Sequence, residues 1–312
     1  MYLHENPDEM SQLVTDAATY FSRAEAYVEK DYYATMVLRE VTSRSPKLVF
    51  KGGTCLSKCH HVIERFSEDV DLGMAEDVVT ESMRKALKQA VVESAAALGV
   101  EILNLGETRS RREYNRYDLA IPNNHANDKL IVETAVITPA APVVRRCIQS
   151  FIGEYCEAVG LRDIIREYGL EPFELTASSM ERTFCDKAFA LCDYYLANEP
   201  IPPRQSRHIY DLRKLQDRVV FAEDLASLFA TVRHQRSGKN RCLSAGRDID
   251  VAAVLLELAK NNAYKQDYLA MTSNLLYEEM PYEEAVKALG AIADFLGGVD
   301  WDIGTPGQTP AT

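Results

Sequence analysis

One stretch of the chain limits its fold more than any other feature. Residues 48–73 pass from an apolar segment into Gly52 and Gly53, continue with a helical pattern, and end in an Asp-x-Asp alternation. The spacing predicts a strand, a tight glycine turn, a helix and a second strand in close succession. Because alternate side chains of a strand share one face, Asp69 and Asp71 are expected to project together, about 6–7 Å apart.

Two carboxylates in this arrangement are typical of a Mg²⁺ site. In proteins Mg²⁺ is usually held by one or two carboxylates together with phosphates of the substrate. The glycines let the backbone approach a ligand, and a helix opening near Thr54 presents N–H groups to anions. Ser67 lies two residues before Asp69 and is expected on the same face. The residues predicted to bind the phosphates are Gly52, Gly53, Thr54 and Ser67.

A two-metal site needs a third carboxylate, and the best candidate is Glu133. It interrupts the apolar strand pattern of residues 129–136, where an acid is costly to bury unless it is paired or bound to metal. Asp118, in the predicted strand 114–121, is the alternative third ligand. Alternatively, Glu133 faces solvent on a strand that is exposed on one side. The metal ligands are predicted to be Asp69, Asp71 and Glu133.

Five sequence blocks occur in an order that is known from one protein family. They are VEKDYYATMVLRE (28–40), LVFKGGTCLSK (48–58), ERFSEDVDL (64–72), DKAFAL (186–191) and RHIYDL (207–212). In these blocks the chain resembles the AbiEii/AbiGii toxin family of the nucleotidyltransferase superfamily. The resemblance runs from about residue 28 to residue 215, which is most of the chain.

The resemblance implies a nucleotidyltransferase toxin of a toxin–antitoxin or phage-defence system. Such an enzyme transfers a nucleoside monophosphate from an NTP to an RNA acceptor, here expected to be tRNA, and releases pyrophosphate. Mg²⁺ is the expected cofactor, with Mn²⁺ as its alternative. The expected partner is a cognate antitoxin on a separate chain, often a winged-helix repressor. The catalytic positions that carry over are Asp69, Asp71, Lys187 and Asp211.

For Lys187 and Asp211 the sequence pattern also allows a purely structural role. Lys187 lies on an amphipathic helix, where a lysine ordinarily buries its stem and keeps its ammonium in water. In the family, the matching lysine contacts the triphosphate. Asp211 matches a position implicated in activity, and as an exposed helical residue it is alternatively expected to pair with Arg207 four positions earlier. The two roles are compatible, because an Arg–Asp pair can fix the helix that completes the pocket. Arg65, just before the Asp-x-Asp strand, is expected either to bind a phosphate or to brace that strand.

The charge balance argues against non-specific polyanion binding as the main function. Of 312 residues, 35 are Lys or Arg and 47 are Asp or Glu, which gives a net charge of −12. Three segments oppose this average, at 109–116, 204–214 and 233–241, and together they predict a track for the phosphates of RNA. Each segment is equally typical of a solvated face. No apolar run is long enough to span a bilayer, so a cytoplasmic protein without membrane contact is expected.

The expected fold class is α+β, with two domains. Residues 1–147 are predicted to form a nucleotidyltransferase-fold mixed sheet with flanking helices, and 148–312 a mainly helical domain that completes the active-site cleft. The predicted strands are at 48–50, 69–72, 100–105, 114–121, 130–136 and 173–176. The predicted helices before 148 are two within 8–43, one at 54–65 and one at 80–98. The predicted turn at 122–128 and the frayed end at 304–312 complete the pattern.

Three local expectations concern single residues. Asp31 is predicted as the N-cap of the second helix rather than as a catalytic residue. Cys55, Cys59 and His60 suggest a zinc site, but small cysteines packed on the inner face of a helix are the commoner outcome. Lys58, beside them, is expected to be solvated or to contact phosphate.

Two other classes of function compete with the RNA-modifying enzyme. The first is a nucleotidyltransferase that modifies a small molecule or a protein, against which the basic segments argue weakly. The second is a non-catalytic nucleotide-binding or antitoxin-binding protein. The presence of both aspartates and of Lys187 argues against that second class.

Overall fold

In the computed structural model, a seven-stranded mixed sheet organises the N-terminal part of the chain. The strands are β1 (Leu48–Lys51), β2 (Asp69–Met74), β3 (Glu101–Ile102), β4 (Tyr114–Ala120), β5 (Lys129–Ala135), β6 (Val143–Ile148) and β7 (Phe173–Ser178). Their order across the sheet is β3-β4-β5-β2-β1-β7-β6. The pairs β1–β7 and β2–β5 are parallel, and the other neighbours are antiparallel.

Helices cover the sheet and make up most of the rest of the chain. The first group is α1 (Pro7–Phe21), α2 (Glu25–Arg44), α3 (Gly52–Lys58), α4 (Glu81–Ala97), α5 (Phe151–Val159) and α6 (Arg162–Tyr168). The second group is α7 (Met180–Leu196), α8 (Arg207–Gln216), α9 (Glu223–Arg236), α10 (Val251–Lys260), α11 (Lys265–Asp267), α12 (Tyr282–Ala285) and α13 (Lys287–Leu296). The α+β fold class is therefore confirmed.

The structure describes residues 1–65, 67, 69–122, 129–197 and 199–301. The predicted turn at 122–128, apart from Pro122, and the predicted frayed end at 304–312 lie outside these residues. Within the described ranges, no helix combines the length and the apolar character that a bilayer-spanning segment needs.

The chain divides into two compact units. The first comprises Met1–His61 and Phe66–Ser178, and the second comprises Val62–Arg65 and the chain from Ser179 onward. The predicted division at 147/148 falls at the end of β6, so that α5, α6 and β7 belong to the first unit. In the second unit, α7 and α8 pack against each other and against α9, α10 and α13.

The two faces of the sheet differ in chemistry because the side chains alternate along β4 and β5 and at the start of β2. On β5 the side chains of Leu130, Val132 and Thr134 are buried, and α2 packs against this strand and against β2. The intervening side chains, Glu133 among them, are only half-buried. The acidic residues of β2 follow the same alternation, since Asp69 and Asp71 are half-buried whereas Val70 and Leu72 are buried. The polar face is therefore the one that can carry chemistry.

Several predicted elements have different limits in the structure. Helix α3 ends at Lys58 rather than at residue 65, and β3 is only two residues long. Strand β6 was not predicted. The N-cap assignment of Asp31 is wrong, because α2 begins at Glu25 and places Asp31 in its second turn.

Asp31 instead joins three elements of the first unit. Its carboxylate pairs with the ammonium of Lys58 at the end of α3 and accepts a hydrogen bond of 2.9 Å from the backbone N–H of Phe151 at the start of α5. Lys58 also donates to the carbonyl oxygen of Gln149, at 3.1 Å. Lys58 is therefore largely buried and structural rather than solvated.

Glu154 of α5 lies near this ion pair and makes stability depend on pH. Burial raises the pKa of its carboxyl to about 7, although the charge of Lys58 opposes the shift. A carboxyl whose pKa is raised on folding contributes stability below its unfolded pKa, near 4.3, and loses that contribution as pH rises through about 7. We expect Glu154→Gln to raise the urea midpoint at pH 8 and to change it little at pH 5. Glu157→Gln, on the same helix, is the control, and an equal gain at both pH values would contradict the assignment.

Candidate active site

The glycine turn and the Asp-x-Asp strand meet at atomic contact. Gly52 has a φ of +78°, and a Cβ at this position would lie 1.9 Å from Oδ2 of Asp71. Any side chain here would collide with the carboxylate, and the backbone conformation itself favours glycine. The backbone turn at Gly52 therefore lies directly against the carboxylate of Asp71, so the two predicted site residues belong to one site.

Replacing Gly52 tests this contact. We expect Gly52→Ala to lower nucleotide transfer by about a hundredfold, because displacing a reacting group by about 1 Å has that order of effect. The matched control is Gly99→Ala, since Gly99 also has a positive φ, of +64°, but has no atom within 4 Å of its added Cβ. Both variants should lose about 1–2 kcal/mol of stability from the left-handed backbone, whereas only Gly52→Ala should lose activity. Equal activities of the two variants would show that the contact with Asp71 is not needed.

Thr54 holds the start of β2 in place. Its hydroxyl donates to the carbonyl oxygen of Asp69 and lies 2.9 Å from Oγ of Ser67. Ser67 lies before β2 begins, so its direction is set by this contact with Thr54 and not by strand alternation. The Thr54 side chain is buried. Its hydroxyl is therefore a positioning group for the residues that precede and begin the acidic strand.

A row of charged side chains crosses four strands on the polar face of the sheet. Asp71 of β2 lies opposite Lys51 of β1 on one side and opposite Glu133 of β5 on the other. Glu133 in turn lies opposite Arg116 of β4. The order across the sheet is thus cation, two adjacent acids, cation. Neighbouring strands are about 4.8 Å apart, so the two acids repel each other when ionised unless a cation is shared between them.

This row distinguishes Glu133 from Asp118. Glu133 is the direct neighbour of Asp71, and its Oε1 accepts a hydrogen bond of 2.7 Å from the hydroxyl of Tyr114. Burial, together with this hydrogen bond and the charge of Glu133, raises the pKa of the Tyr114 phenol. Asp118 lies on β4 opposite Ile131 and pairs with Arg116 at 2.7 Å and with Lys129 at 3.8 Å. Because these two cations already neutralise the Asp118 carboxylate, Glu133 is the better candidate for the third metal ligand.

The donor set fits a hard divalent cation. Asp69, Asp71 and Glu133 offer only carboxylate oxygens, which Mg²⁺ and Mn²⁺ prefer, and the Gly52 turn leaves room for no side chain at the Asp71 carboxylate. In the part of the chain that the structure describes, no three His, Cys, Asp or Glu side chains are already grouped as a metal centre. The three-carboxylate site therefore stays a prediction.

Lys187 and Asp211 come together in the second unit, in a buried ion cluster. Asp211 is 0% exposed, and Lys187 Nζ lies 2.6 Å from its Oδ2. Arg65 donates two hydrogen bonds of 2.7 Å to the same carboxylate, from Nε to Oδ1 and from Nη2 to Oδ2. The expectation of an exposed Asp211 paired with Arg207 is wrong, and so is that of a Lys187 with its ammonium in water. Asp211 and Lys187 are both buried and pair with each other, and Arg65, 146 positions before Asp211, supplies the second cation.

The cluster carries one more positive charge than negative charge. Burial would raise the pKa of Asp211, but the charges and hydrogen bonds of Arg65 and Lys187 hold it well below its ordinary value. Burial lowers the pKa of Lys187, against the attraction of Asp211. His208 Nδ1 lies 3.4 Å from Lys187 Nζ, and burial together with the Lys187 charge lowers the pKa of His208 well below its usual range. With His208 neutral, two cations face one carboxylate.

Two arginines of the basic segment 233–241 have partners within the second unit, and RNA binding by this segment stays a prediction. Arg233 donates to the carbonyl oxygens of Gly246 and Ile249, and Arg236 pairs with the largely buried carboxylate of Asp193. Both arginines have a structural role, because Arg233 hydrogen-bonds to two backbone carbonyls and Arg236 neutralises a carboxylate within the second unit. Of this segment, Lys239 and Arg241 are exposed.

Zinc is not supported at the Cys55 segment. Cys55 and Cys59 are buried and reduced, and His60 Nε2 lies 2.8 Å from the carbonyl oxygen of Ser178. Burial raises the pKa of the Cys55 thiol well above its ordinary value, which disfavours the thiolate that zinc requires. The packed-cysteine interpretation is the one that fits the structure.

Comparison with known proteins identifies the family. A family described as "Nucleotidyl transferase AbiEii toxin, Type IV TA system" matches residues 37–291. The matched region contains β1 to β7 as well as the helices that carry Lys187 and Asp211. No curated protein matches the chain. A family match over most of the chain shows that this protein belongs to the AbiEii nucleotidyl transferase toxins of type IV toxin–antitoxin systems.

Proposed function

We propose that this protein transfers a nucleoside monophosphate from an NTP to a hydroxyl group of an RNA acceptor, with tRNA as the favoured acceptor. The observation that carries the proposal is the contact between the Gly52 backbone and the Asp71 carboxylate, in a row with Glu133. A turn free of side chains beside two acids is suited to a triphosphate that is held through its oxygens. The family's enzymatic class agrees with this chemistry.

The first unit is proposed to hold the reacting phosphate. Asp69, Asp71 and Glu133 would hold Mg²⁺, or Mn²⁺ in its place, which when bound neutralises charge on the triphosphate. The backbone of Gly52 and Gly53 faces the phosphates, and Thr54 and Ser67 keep β2 in register with the turn. The acceptor oxygen bonds to the α-phosphorus as the α–β phosphoanhydride bond breaks. Pyrophosphate leaves with the bonding electrons, and the hydroxyl proton passes to solvent.

The second unit is proposed to contribute through the cluster around Asp211. The extra positive charge shared by Lys187 and Arg65 suits an anionic nucleotide, and Asp211 fixes the position of both cations. As in other members of a type IV system, an antitoxin counters the protein. We propose that this antitoxin is a separate winged-helix repressor.

The test is incubation of the protein with each α-labelled NTP in turn, with Mg²⁺ or Mn²⁺ and purified total tRNA. We expect label from one or two of the NTPs in the RNA, release of pyrophosphate, and no label with EDTA. Asp71→Asn, shown to be folded by circular dichroism, is the matched inactive control. RNA that stays unlabelled with all four NTPs and with both metals would overturn the proposal.

Lys187 gives a separate prediction on nucleotide affinity. We expect Lys187→Ala to raise the dissociation constant of the preferred NTP about tenfold or more, the usual effect of losing a charged hydrogen bond. Lys187→Arg should rescue poorly, because a planar fork does not replace a compact ammonium in a buried site. Lys214→Ala is the control, since Lys214 lies on α8 but pairs with Glu64 at the surface. Equilibrium dialysis gives the constants, and equal affinities of the Lys187→Ala and Lys214→Ala variants would remove Lys187 from the nucleotide site.

A further inference from the structure

A pocket of about 450 Å³ lies between β4 and the loop that follows β3. Its wall includes the exposed side chains of Arg112, Tyr114 and Arg116, and that of Lys129 from β5. The pocket and all its lining residues belong to the first unit. Neither the predicted phosphate-binding residues nor the predicted metal ligands line it.

The pocket adjoins the row of acids. Arg116 lies opposite Glu133, and the Tyr114 hydroxyl donates to Glu133 at 2.7 Å. With strands about 4.8 Å apart, Arg116 is about 10 Å from Asp71 along the sheet. A single strand with stacked bases advances about 3.4 Å per nucleotide, so about three nucleotides would span the distance from Asp71 to Arg116.

The position of the pocket relative to Gly52 determines which substrate reaches it. In-line phosphoryl transfer places the attacking oxygen and the leaving oxygen on opposite sides of the phosphorus. The Gly52 turn meets Asp71 from the β1 side of β2, which is the side proposed for the triphosphate. The pocket lies on the other side of β2, beyond β5. The acceptor, rather than the NTP, therefore approaches from the pocket.

We infer that this pocket binds a nucleotide of the single-stranded end of the acceptor RNA, close to the hydroxyl that reacts. The inference rests on the proposed function and adds a second subsite to it. Of the described residues that line the pocket, three are cations and two, Glu107 and Asp118, are acids, in a chain whose net charge is −12. Tyr114 is 43% exposed and offers a ring on which a base can stack.

The pocket is expected to tolerate different bases. Among the described residues that line it, Asn104 and Asn115 carry amide side chains, and both already hydrogen-bond to the backbone. Asn104 donates to the carbonyl oxygen of Arg116 and accepts from the N–H of Asp118, at 3.1 and 2.9 Å. Asn115 likewise accepts from the N–H of Arg109 and donates to its carbonyl oxygen. Recognition then depends on charge and stacking, which carry little base specificity.

The test measures RNA binding directly, without NTP. The probe is a 5′-fluorescein single-stranded RNA dodecamer, and its anisotropy is followed at several salt concentrations. We expect the double variant Arg112→Glu/Lys129→Glu to raise the dissociation constant at least tenfold and to lower the salt slope by about 1.4, about 0.7 for each phosphate of the single strand that is no longer neutralised. Tyr114→Leu should weaken binding about fivefold or more because the stacking surface is removed, whereas Tyr114→Phe should bind as the wild type does. Dodecamers of oligo-U, oligo-C and oligo-A should bind the wild type within about threefold of one another.

Arg111→Glu is the matched control, because Arg111 lies in the same loop, is 86% exposed and does not line the pocket. It should change the dissociation constant by less than about twofold. Equal weakening by Arg111→Glu and by the double variant would overturn the inference, as would unchanged RNA binding in the double variant. An effect of the double variant on NTP affinity, with RNA affinity intact, would also overturn it by assigning the pocket to the nucleotide. The binding assay contains no NTP and involves no transfer. A negative result in it therefore argues against the pocket alone, and the transfer assay still tests the proposed function.

Discussion

Replacing Asp71 by Asn is expected to lower nucleotide transfer by about a thousandfold while the fold is retained. The amide keeps the shape of the carboxylate but removes the charge proposed to hold the divalent cation, and that charge stabilisation is worth several kcal/mol at about 1.4 kcal/mol per tenfold. Asp69→Asn should have an effect of the same order. The rates are measured as labelled nucleotide incorporated into tRNA, with circular dichroism and urea unfolding as checks on the fold.

The neighbouring carboxylates provide controls for this prediction. Asp118→Asn is the same chemical change two strands away, on a residue already paired with Arg116 and Lys129, and it should alter the rate by only a few-fold. Glu133→Gln should fall between Asp71→Asn and Asp118→Asn. A larger loss at Asp118 than at Glu133 would exchange their assignments, and an active Asp71→Asn would refute the metal site.

Asp211→Asn is expected to have the largest effect on stability. The carboxylate is fully buried and neutralises both Arg65 and Lys187, so its removal leaves two buried cations without their shared anion. Breaking a buried ion pair in this way costs about 3–5 kcal/mol. The free energy of unfolding is read from urea titrations, and transfer activity is expected to fall with it.

The control for Asp211 lies at the end of the same helix. Asp217 is 63% exposed and pairs with Arg213, so Asp217→Asn should cost less than about 1 kcal/mol. Because the folded pKa of Asp211 is depressed, its contribution is complete above its unfolded pKa of about 3.9 and is lost as pH falls through the lower folded value. The difference between wild type and Asp211→Asn should thus stay constant from pH 8 to pH 5. A difference that vanished at pH 5 would contradict the buried pairing.

Local patterns predicted the centre of the sheet but not its edge. Strands β1, β2, β4, β5 and β7 lie where apolar or alternating residues indicated them. Strand β6 carries Arg145 and Arg146 in succession and has exposed or half-buried side chains along most of its length, so it lacks the periodicity that marks a buried strand. This edge strand is stabilised by its pairing with β7, and such a pairing between distant segments cannot be predicted from the local sequence pattern.

The candidate site shows the same division. The Gly52 turn and the acidic alternation follow from short-range spacing, and Glu133 was found because an acid interrupts an apolar strand. The role of Arg65 was left open, because its partner Asp211 is 146 positions away. A block of sequence can mark Lys187 and Asp211 as functional, but only the fold shows that a third residue joins them. The pairing of Arg236 could not be predicted for the same reason, since Asp193 is distant in sequence.

The assignment of Val62–Arg65 to the second unit has a consequence for biosynthesis. The segment lies between α3 and β2 and therefore leaves the ribosome with the first unit. Its partners leave much later: Asp211 binds the Arg65 side chain, and the N–H of Tyr277 donates to the carbonyl oxygen of Glu64. A ribosome that stops before residue 211 thus releases a chain in which the guanidinium of Arg65 and the ammonium of Lys187 have no Asp211. Translation products that end before residue 211 cannot assemble the charged cluster, which ties this part of the toxin to a chain that extends at least to Asp211.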